Sequence, residues 1–234
     1  EQVVVDLCAS AFQSAGQRCS ASRVLFVQED VAERTIAMLK GAMAELAVGD
    51  PSELATDVGP VIDREAKDGL DAHIARMEAE AKLIARAPAT PAMQAGTFVA
   101  PVAFEIDSLD RLTKEVFGPV LHVIRYKADR LDAVMDAINA TGFGLTMGLH
   151  TRIDTTVEWM RRRAGAGNLY VNRNMIGAVV GVQPFGGEGL SGTGPKAGGP
   201  RYLPRFACER VISINTTAAG GNASLMSMGD DLPG

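Results

Sequence analysis

The chain opens on a helical pattern of apolar positions. Val4, Leu7, Cys8, Ala11, Phe12 and Ala15 recur at intervals of three and four residues, which predicts a helix with one buried stripe. Gly16 predicts its end. Residues 23–28 (RVLFVQ) are short and β-rich and predict a strand. Asp30 and Glu33 have the spacing of a capping box, and Val31, Thr35, Met38, Leu39, Ala42 and Leu46 follow on one helical face. Gly49-Asp50-Pro51 ends that helix. Asp63 opens another, with Leu70, Ile74 and Met77 turned inward. Leu83 and Ile84 predict a short strand, and residues 98–106 an extended segment interrupted by Pro101. Residues 120–126 (VLHVIRY) are apolar enough for a strand buried on both faces. Residues 131–138 and 155–163 read as helices, and residues 168–172 (NLYVN) as a strand. Strands alternating with helices predict an α/β fold with a largely parallel sheet.

The last third breaks the pattern. Residues 177–199 are too rich in glycine for a regular helix or strand, and a long loop inside a compact domain usually carries function. Residues 211–217 (VISINTT) predict one last strand, and the tail from Ala218 is expected to have little structure of its own. There is no internal repeat. The first residue is Glu1, already inside a helical pattern and without an initiator methionine, which suggests a piece of a longer or processed polypeptide.

Composition narrows the classes. The 234 residues are 47% hydrophobic, enough for a full core, yet no apolar run reaches the roughly 18 residues that cross a bilayer. Residues 1–6 lack the basic start of an export signal. A net charge of −5 argues against a broad nucleic-acid surface. Three cysteines, at 8, 19 and 208, make a disulfide framework improbable and point to a reducing, cytoplasmic compartment. His73, His122 and His150 have no metal-ligand spacing with them, so each reads as a packing or surface residue and no metal site is predicted.

Of the cysteines, Cys19 has the most reactive setting. It stands in Gly16-Gln17-Arg18-Cys19-Ser20, just past a helix end and beside an arginine, where exposed backbone and positive charge favour a thiolate. Cys8 lies on the apolar stripe and reads as core, and Cys208 as a structural residue as well. A small buried cysteine is the competing reading for Cys19 on this evidence. A Cys–His protease pair is disfavoured, because nothing links a histidine to Cys19. The glycine-rich stretch is no dinucleotide fingerprint, since it lacks the strand–GxGxxG–helix setting.

Four longer motifs decide the matter. Residues 12–21 (FQSAGQRCSA) resemble the cysteine signature of the aldehyde dehydrogenase superfamily. Residues 114–120 (KEVFGPV), 139–145 (NATGFGL) and 183–187 (QPFGG) resemble three further motifs of that superfamily, in its order and spacing. Residues 16–22, 177–201 and 215–222 resemble the bifunctional bacterial proline utilization A family, which joins a proline dehydrogenase to an L-glutamate γ-semialdehyde (Δ1-pyrroline-5-carboxylate) dehydrogenase. The resemblance covers nearly the whole chain, as the C-terminal part of the second module.

The resemblance implies an NAD-dependent oxidation of glutamate γ-semialdehyde to L-glutamate in proline catabolism. Cys19 matches the nucleophile that forms a thiohemiacetal and then a thioester. Glu115 matches the glutamate that holds the nicotinamide ribose, and Phe117 the ring at the nicotinamide end. Gly177 and Ala178 match a loop that anchors the substrate carboxylate through backbone N–H groups, Ser20 a hydroxyl that assists, and Phe185 an aromatic beside the aliphatic chain. Asn172 reads as an orienting residue. Lys196 and Arg201 are solvated loop charges with no assigned role.

The implied domain plan has a catalytic domain over 1–182, its substrate and active-site loop over 183–205, an oligomerisation-flap strand over 206–217 and a tail over 218–234. The nucleotide-binding half, the general-base glutamate and the oxyanion-hole asparagine are expected ahead of Glu1, and FAD only in the proline dehydrogenase module. The chain alone is therefore expected to be inactive, to leave an exposed strand edge, and to have as partners the missing N-terminal half and a second copy met through the flap. Two alternatives stand beside this: an aldehyde dehydrogenase of another substrate class, and a non-catalytic oligomerisation or tunnel-capping fragment. Succinate- and glyceraldehyde-phosphate-type enzymes would place basic residues near Ser20 or in the loop, and none is evident.

Overall fold

The computed structural model describes residues 1–215, which fall into two units, residues 1–199 and a second beginning at Pro200. The first unit carries the elements predicted from periodicity. Helix α1 (Gln2–Phe12) buries Val4, Leu7, Ala11 and Phe12. Cys8 packs, half-buried, at the edge of the same core, as its place on the stripe predicted. The helix does not run to Gly16. It stops at Phe12, and the next residues make a tight turn in which Ser14, Ala15 and Gly16 are all left-handed, with φ of 56°, 53° and 64°.

Strand β1 (Val24–Gln28) leads directly into helix α2 (Glu29–Ala44). The capping box expected at Asp30 and Glu33 is not formed. The helix starts two residues earlier, at Glu29, so Asp30 lies inside the first turn and Gln28 caps without a side-chain bond. The buried stripe of α2 is correspondingly rotated: Ala32, Thr35, Ile36, Leu39 and Met43 face inward, Met38, Ala42 and Leu46 lie at the margin, and Val31 is exposed. Helix α3 (Arg64–Glu80) does begin as predicted, with the Asp63 carboxylate accepting from Ala66 N at 2.8 Å. Such a cap stabilises a helix by about 1 kcal/mol.

The central sheet has four strands in the order β1-β4-β3-β2, with β2 (Lys82–Arg86), β3 (Val102–Glu105) and β4 (Val120–Tyr126). Strand β4 lies parallel to both β1 and β3, with Val24 opposite His122 and Val102 opposite Val120. Strand β2 pairs antiparallel with β3, so the largely parallel sheet predicted becomes a mixed one at that edge. The cause is the connection from 87 to 101, which holds one 3₁₀ turn and no crossover helix, so β3 returns alongside β2 in the opposite sense. The first five residues of β4 are buried, in keeping with its apolar run. Leu121 within it and Phe12, Leu39 and Phe104 around it are fully buried, each contributing about 1.5–3 kcal/mol relative to exposure.

Helix α4 (Leu131–Ala140) and helix α5 (Asp154–Arg163) fall where predicted. Two small pairings went unread in the sequence. Strand β5 (Phe143–Gly144) pairs antiparallel with β8 (Glu188–Gly189), and β6 (Thr146–Leu149) pairs parallel with β7 (Asn168–Val171). The glycine-rich stretch is otherwise irregular, as its composition required.

In the second unit, Leu203–Phe206 form a 3₁₀ turn, with the Tyr202 and Phe206 rings edge to face. The strand predicted over 211–217 is not formed in its described part, residues 211–215, where Val211, Ile212 and Ile214 are exposed. A strand exists only through hydrogen bonds to a neighbour. Thr216, Thr217 and the tail from Ala218 lie outside the described residues.

Candidate active site

Cys19 follows the left-handed turn and is exposed at its tip. The turn is held on two sides and closed by a bond within itself. Ser22 N donates to Ser10 O at 2.9 Å and Ala21 N to Arg18 O at 3.0 Å, which closes the loop against α1. The Gln17 amide reaches across to residues 60–62: its Oε1 accepts from Ile62 N at 2.8 Å and its Nε2 donates to Pro60 O at 3.3 Å. A left-handed non-glycine residue costs about 1–2 kcal/mol, so Ser14 and Ala15 hold this conformation only because the surroundings fix it.

Gly16 is where the cysteine loop meets the 114–120 motif. A Cβ there would stand 2.2 Å from Gly118 O and 2.8 Å from Ala11 O. Only glycine permits this approach at this φ. The structure thus places the Cys19 turn against Glu115 and Phe117, about a hundred residues away in sequence.

Arg23 makes the connection, a residue that periodicity places only at the start of a strand. Its guanidinium uses all five N–H donors. Nη1 donates to Gly16 O at 2.6 Å and Gly118 O at 3.3 Å, Nη2 to Arg18 O at 3.1 Å and Glu115 Oε1 at 3.2 Å, and Nε to Glu115 Oε1 at 3.3 Å. The Arg23 carbon lies 4.7 Å from the centroid of the Phe117 ring. Burial lowers the Arg23 pKa from its ordinary value, opposed by the charges of Glu115 and Cys19. The one sequence signal was a charged residue opening an otherwise apolar strand, four positions after Cys19.

The backbone of Arg23 is fixed as firmly. Its carbonyl accepts from His122 N at 3.0 Å and lies 3.2 Å from His122 Nδ1. His122 Nε2 is 3.0 Å from His73 Nε2, and His73 Nδ1 is 3.5 Å from Arg76 Nη2. One proton arrangement satisfies the chain. His122 Nδ1–H donates to Arg23 O, His73 Nε2–H donates to His122 Nε2, and Arg76 donates to His73 Nδ1. Both rings are then neutral. Burial pushes each down to about 4; Arg76 and Lys114 add to this at His73 against a smaller opposing effect of Glu80, while the bond to Arg23 O opposes it at His122.

The linkage has a definite sign. The unfolded state binds more protons than the native state between pH 4 and 6.5, so stability falls as pH is lowered through that window and this loss levels off below it. The C2–H resonances of His73 and His122 are therefore expected to show no titration above pH 5 by proton NMR, and the urea midpoint to fall between pH 7 and pH 5. A ring titrating near 6.5 would contradict the assignment.

Ser20 is 2% exposed, and its hydroxyl accepts from Gly177 N at 3.1 Å. Gly177 O in turn accepts from Tyr170 Oη at 2.6 Å. The anchor-loop candidate is thus tied to the residue after Cys19, and Gly177 turns the chain with φ of 69°. Ala178 is half-buried next to it. Phe185 is positioned separately, through paired backbone bonds with Ala197 at 3.0 and 2.9 Å. The Lys196 ammonium binds Gly167 O and so fastens this loop to the chain ahead of β7. The Asn172 side chain bonds both N and O of Thr151, at 2.9 and 2.8 Å. Cys208 is exposed rather than packed. A surface groove lined by Met77, Glu80, Lys82, Glu105 and Arg111 includes none of the candidate residues.

Residues 1–212 match the family described as the aldehyde dehydrogenase family, and the chain belongs to it. Among its relatives is the bifunctional protein PutA of Klebsiella aerogenes, 59% identical over 215 residues. That match takes in 90% of this chain and 16% of PutA, so the chain spans about a sixth of the relative's length. The crystal structure of Bradyrhizobium japonicum proline utilization A (PutA) mutant D779W aligns with a TM-score of 0.87 at 62% identity, over 93% of this chain and 22% of that one. A 1-pyrroline-5-carboxylate dehydrogenase from Thermus with bound NAD aligns with a TM-score of 0.78 at 35% identity, over 88% of this chain and 39% of that one.

Proposed function

We propose that this chain is part of an NAD-dependent L-glutamate γ-semialdehyde dehydrogenase acting in proline catabolism. The observation that carries the reading is the convergence at the Cys19 turn, joined through Arg23 to Glu115 and Phe117 and through Ser20 to Gly177. The identity to PutA and to a 1-pyrroline-5-carboxylate dehydrogenase supports the substrate class.

Cys19 is the nucleophile: its sulfur attacks the aldehyde carbon, and the Cys19 backbone N–H is one donor to the oxygen on which negative charge develops. NAD⁺, when bound, accepts the hydride. Glu115 and Phe117 fit a nicotinamide riboside end, because both side chains are exposed beside the turn and Glu115 Oε2 makes no hydrogen bond among the described residues. Ala178 offers its backbone N–H to the substrate carboxylate on the loop that Gly177 turns, Gly177 N–H itself being engaged by the Ser20 hydroxyl, and Phe185 offers an apolar wall. Ser20 contributes through the loop it holds, since its hydroxyl already accepts from Gly177 N. The nucleotide-binding half, a general base and a second oxyanion donor come from sequence beyond these residues, and the 234-residue chain by itself is expected to bind NAD weakly. The exposed Val211, Ile212 and Ile214 support a flap strand that pairs with a second copy.

The test uses the full-length gene product containing this chain, supplied with NAD and one of three aldehydes. NADH formation with glutamate γ-semialdehyde is expected to exceed that with succinate semialdehyde or glyceraldehyde 3-phosphate by at least about tenfold in kcat/KM. Preference for either of the others overturns the substrate assignment. No turnover with any of them favours a non-catalytic assembly role.

A further inference from the structure

Arg23 is more than the partner of one carboxylate. Its five N–H donors are divided between two backbone segments. Gly16 O and Arg18 O belong to the cysteine turn, while Gly118 O and Glu115 Oε1 belong to the motif that faces it. The Phe117 ring lies against the same guanidinium. The side chain is only 17% exposed, and its carbonyl is held by both the backbone and the ring of His122. Exposed ion pairs contribute little and wander. A guanidinium with three donors on backbone carbonyls and two on one carboxylate oxygen has one position, and so have the groups it holds.

We infer that Arg23 is the positioning residue that fixes the Cys19 turn and the Glu115 carboxylate as a single unit, so that nucleophile and cofactor-holding group keep one mutual geometry. The inference rests on the reading of Cys19 and Glu115 given above. Both bonds from Arg23 fall on Oε1 of Glu115, which leaves Oε2 as the oxygen open to a ribose hydroxyl. A lysine cannot replace this arrangement, because three donors on one nitrogen cannot reach four acceptors on two segments.

The full-length gene product is prepared as wild type, Arg23→Met, Arg23→Lys, Glu115→Gln and the double variant Arg23→Met/Glu115→Gln. Three quantities are read: NAD Kd by calorimetry, the rate of Cys19 labelling by iodoacetamide without NAD (located by mass spectrometry), and the thermal midpoint. Arg23→Met is expected to raise the NAD Kd at least tenfold in the wild-type background and less than twofold in the Glu115→Gln background. Labelling of Cys19 is expected to change at least threefold in Arg23→Met and to stay within twofold in Glu115→Gln. Arg23→Lys is expected to restore neither quantity. Equal effects of Arg23→Met on Kd in both backgrounds, or unchanged Cys19 labelling, overturn the inference even where the thermal midpoint falls. If Arg23→Met does not fold, Arg23→Lys carries the same comparison. If the wild type binds no NAD, the cofactor reading fails, and the labelling rates alone decide whether Arg23 fixes the nucleophile turn.

Discussion

On the proposed function, replacing Cys19 by serine in the full-length gene product is expected to lower oxidation of glutamate γ-semialdehyde by at least about a thousandfold, because the proposed reaction would lose its covalent intermediate and a hydroxyl is a far weaker nucleophile than sulfur. The loss should come with an unchanged fold. Cys19 is exposed at the tip of its turn, and among the described residues no side-chain hydrogen bond depends on its sulfur. The left-handed residues before it and the Arg23 bonds after it stay in place when one atom is exchanged. Circular dichroism and the thermal midpoint are therefore expected to match the wild type within error. Cys8 offers the internal comparison. It is half-buried on α1, and burial pushes its thiol up to about 11, so it stays protonated and unreactive at neutral pH. A Cys8→Ser variant is expected to keep its activity. Activity surviving in Cys19→Ser, or disappearing in Cys8→Ser while the protein remains folded, would move the nucleophile elsewhere.

The contrast between the two cysteines shows which parts of this protein were legible in sequence. Cys8 was placed correctly by periodicity, because burial on a helix follows directly from spacing. Cys19 was singled out by its neighbours and by motif order. The turn that presents it was not foreseen, because nothing in Phe12-Gln13-Ser14-Ala15 forbids three more helical residues. The left-handed conformation there is set by long-range partners: Gly118 against Gly16, and residues 60–62 against Gln17. Arg23 escaped notice for the same reason. Its partners at 16, 18, 115 and 118 come together only when β1 and β4 lie side by side in parallel register. Strands β5, β6 and β8 were too short or too rich in glycine to register as patterns, and the antiparallel edge of the sheet follows from a connection whose lack of a crossover helix is invisible to periodicity. The Ser20–Gly177 bond joins residues 157 apart. Motif resemblance suggested both residues, while only the fold shows that one holds the other.

The second large effect belongs to Gly16. Gly16→Ala is expected to destabilise the protein by about 3 kcal/mol or more, from the left-handed φ together with overpacking against fixed backbone. The clash has no easy exit. The added methyl would meet Gly118 O at 2.2 Å, and that oxygen already accepts from Arg23 Nη1 at 3.3 Å and from Val120 N at 2.8 Å. Nor can Gly118 retreat freely, because its own Cα lies against Leu70, whose side-chain carbons would come within 2.4 Å of a Cβ there. The two segments must therefore separate, and separation breaks the group that Arg23 holds together. Gly41 provides the control: it sits inside α2 with open space around it, so Gly41→Ala is expected to be neutral or stabilising. Urea denaturation of the two variants is the measurement. A Gly16→Ala midpoint equal to that of the wild type would mean that the cysteine turn and the 114–120 motif are not in contact as described. A lowered midpoint with slower Cys19 labelling would tie the stability of that contact to the presentation of the nucleophile.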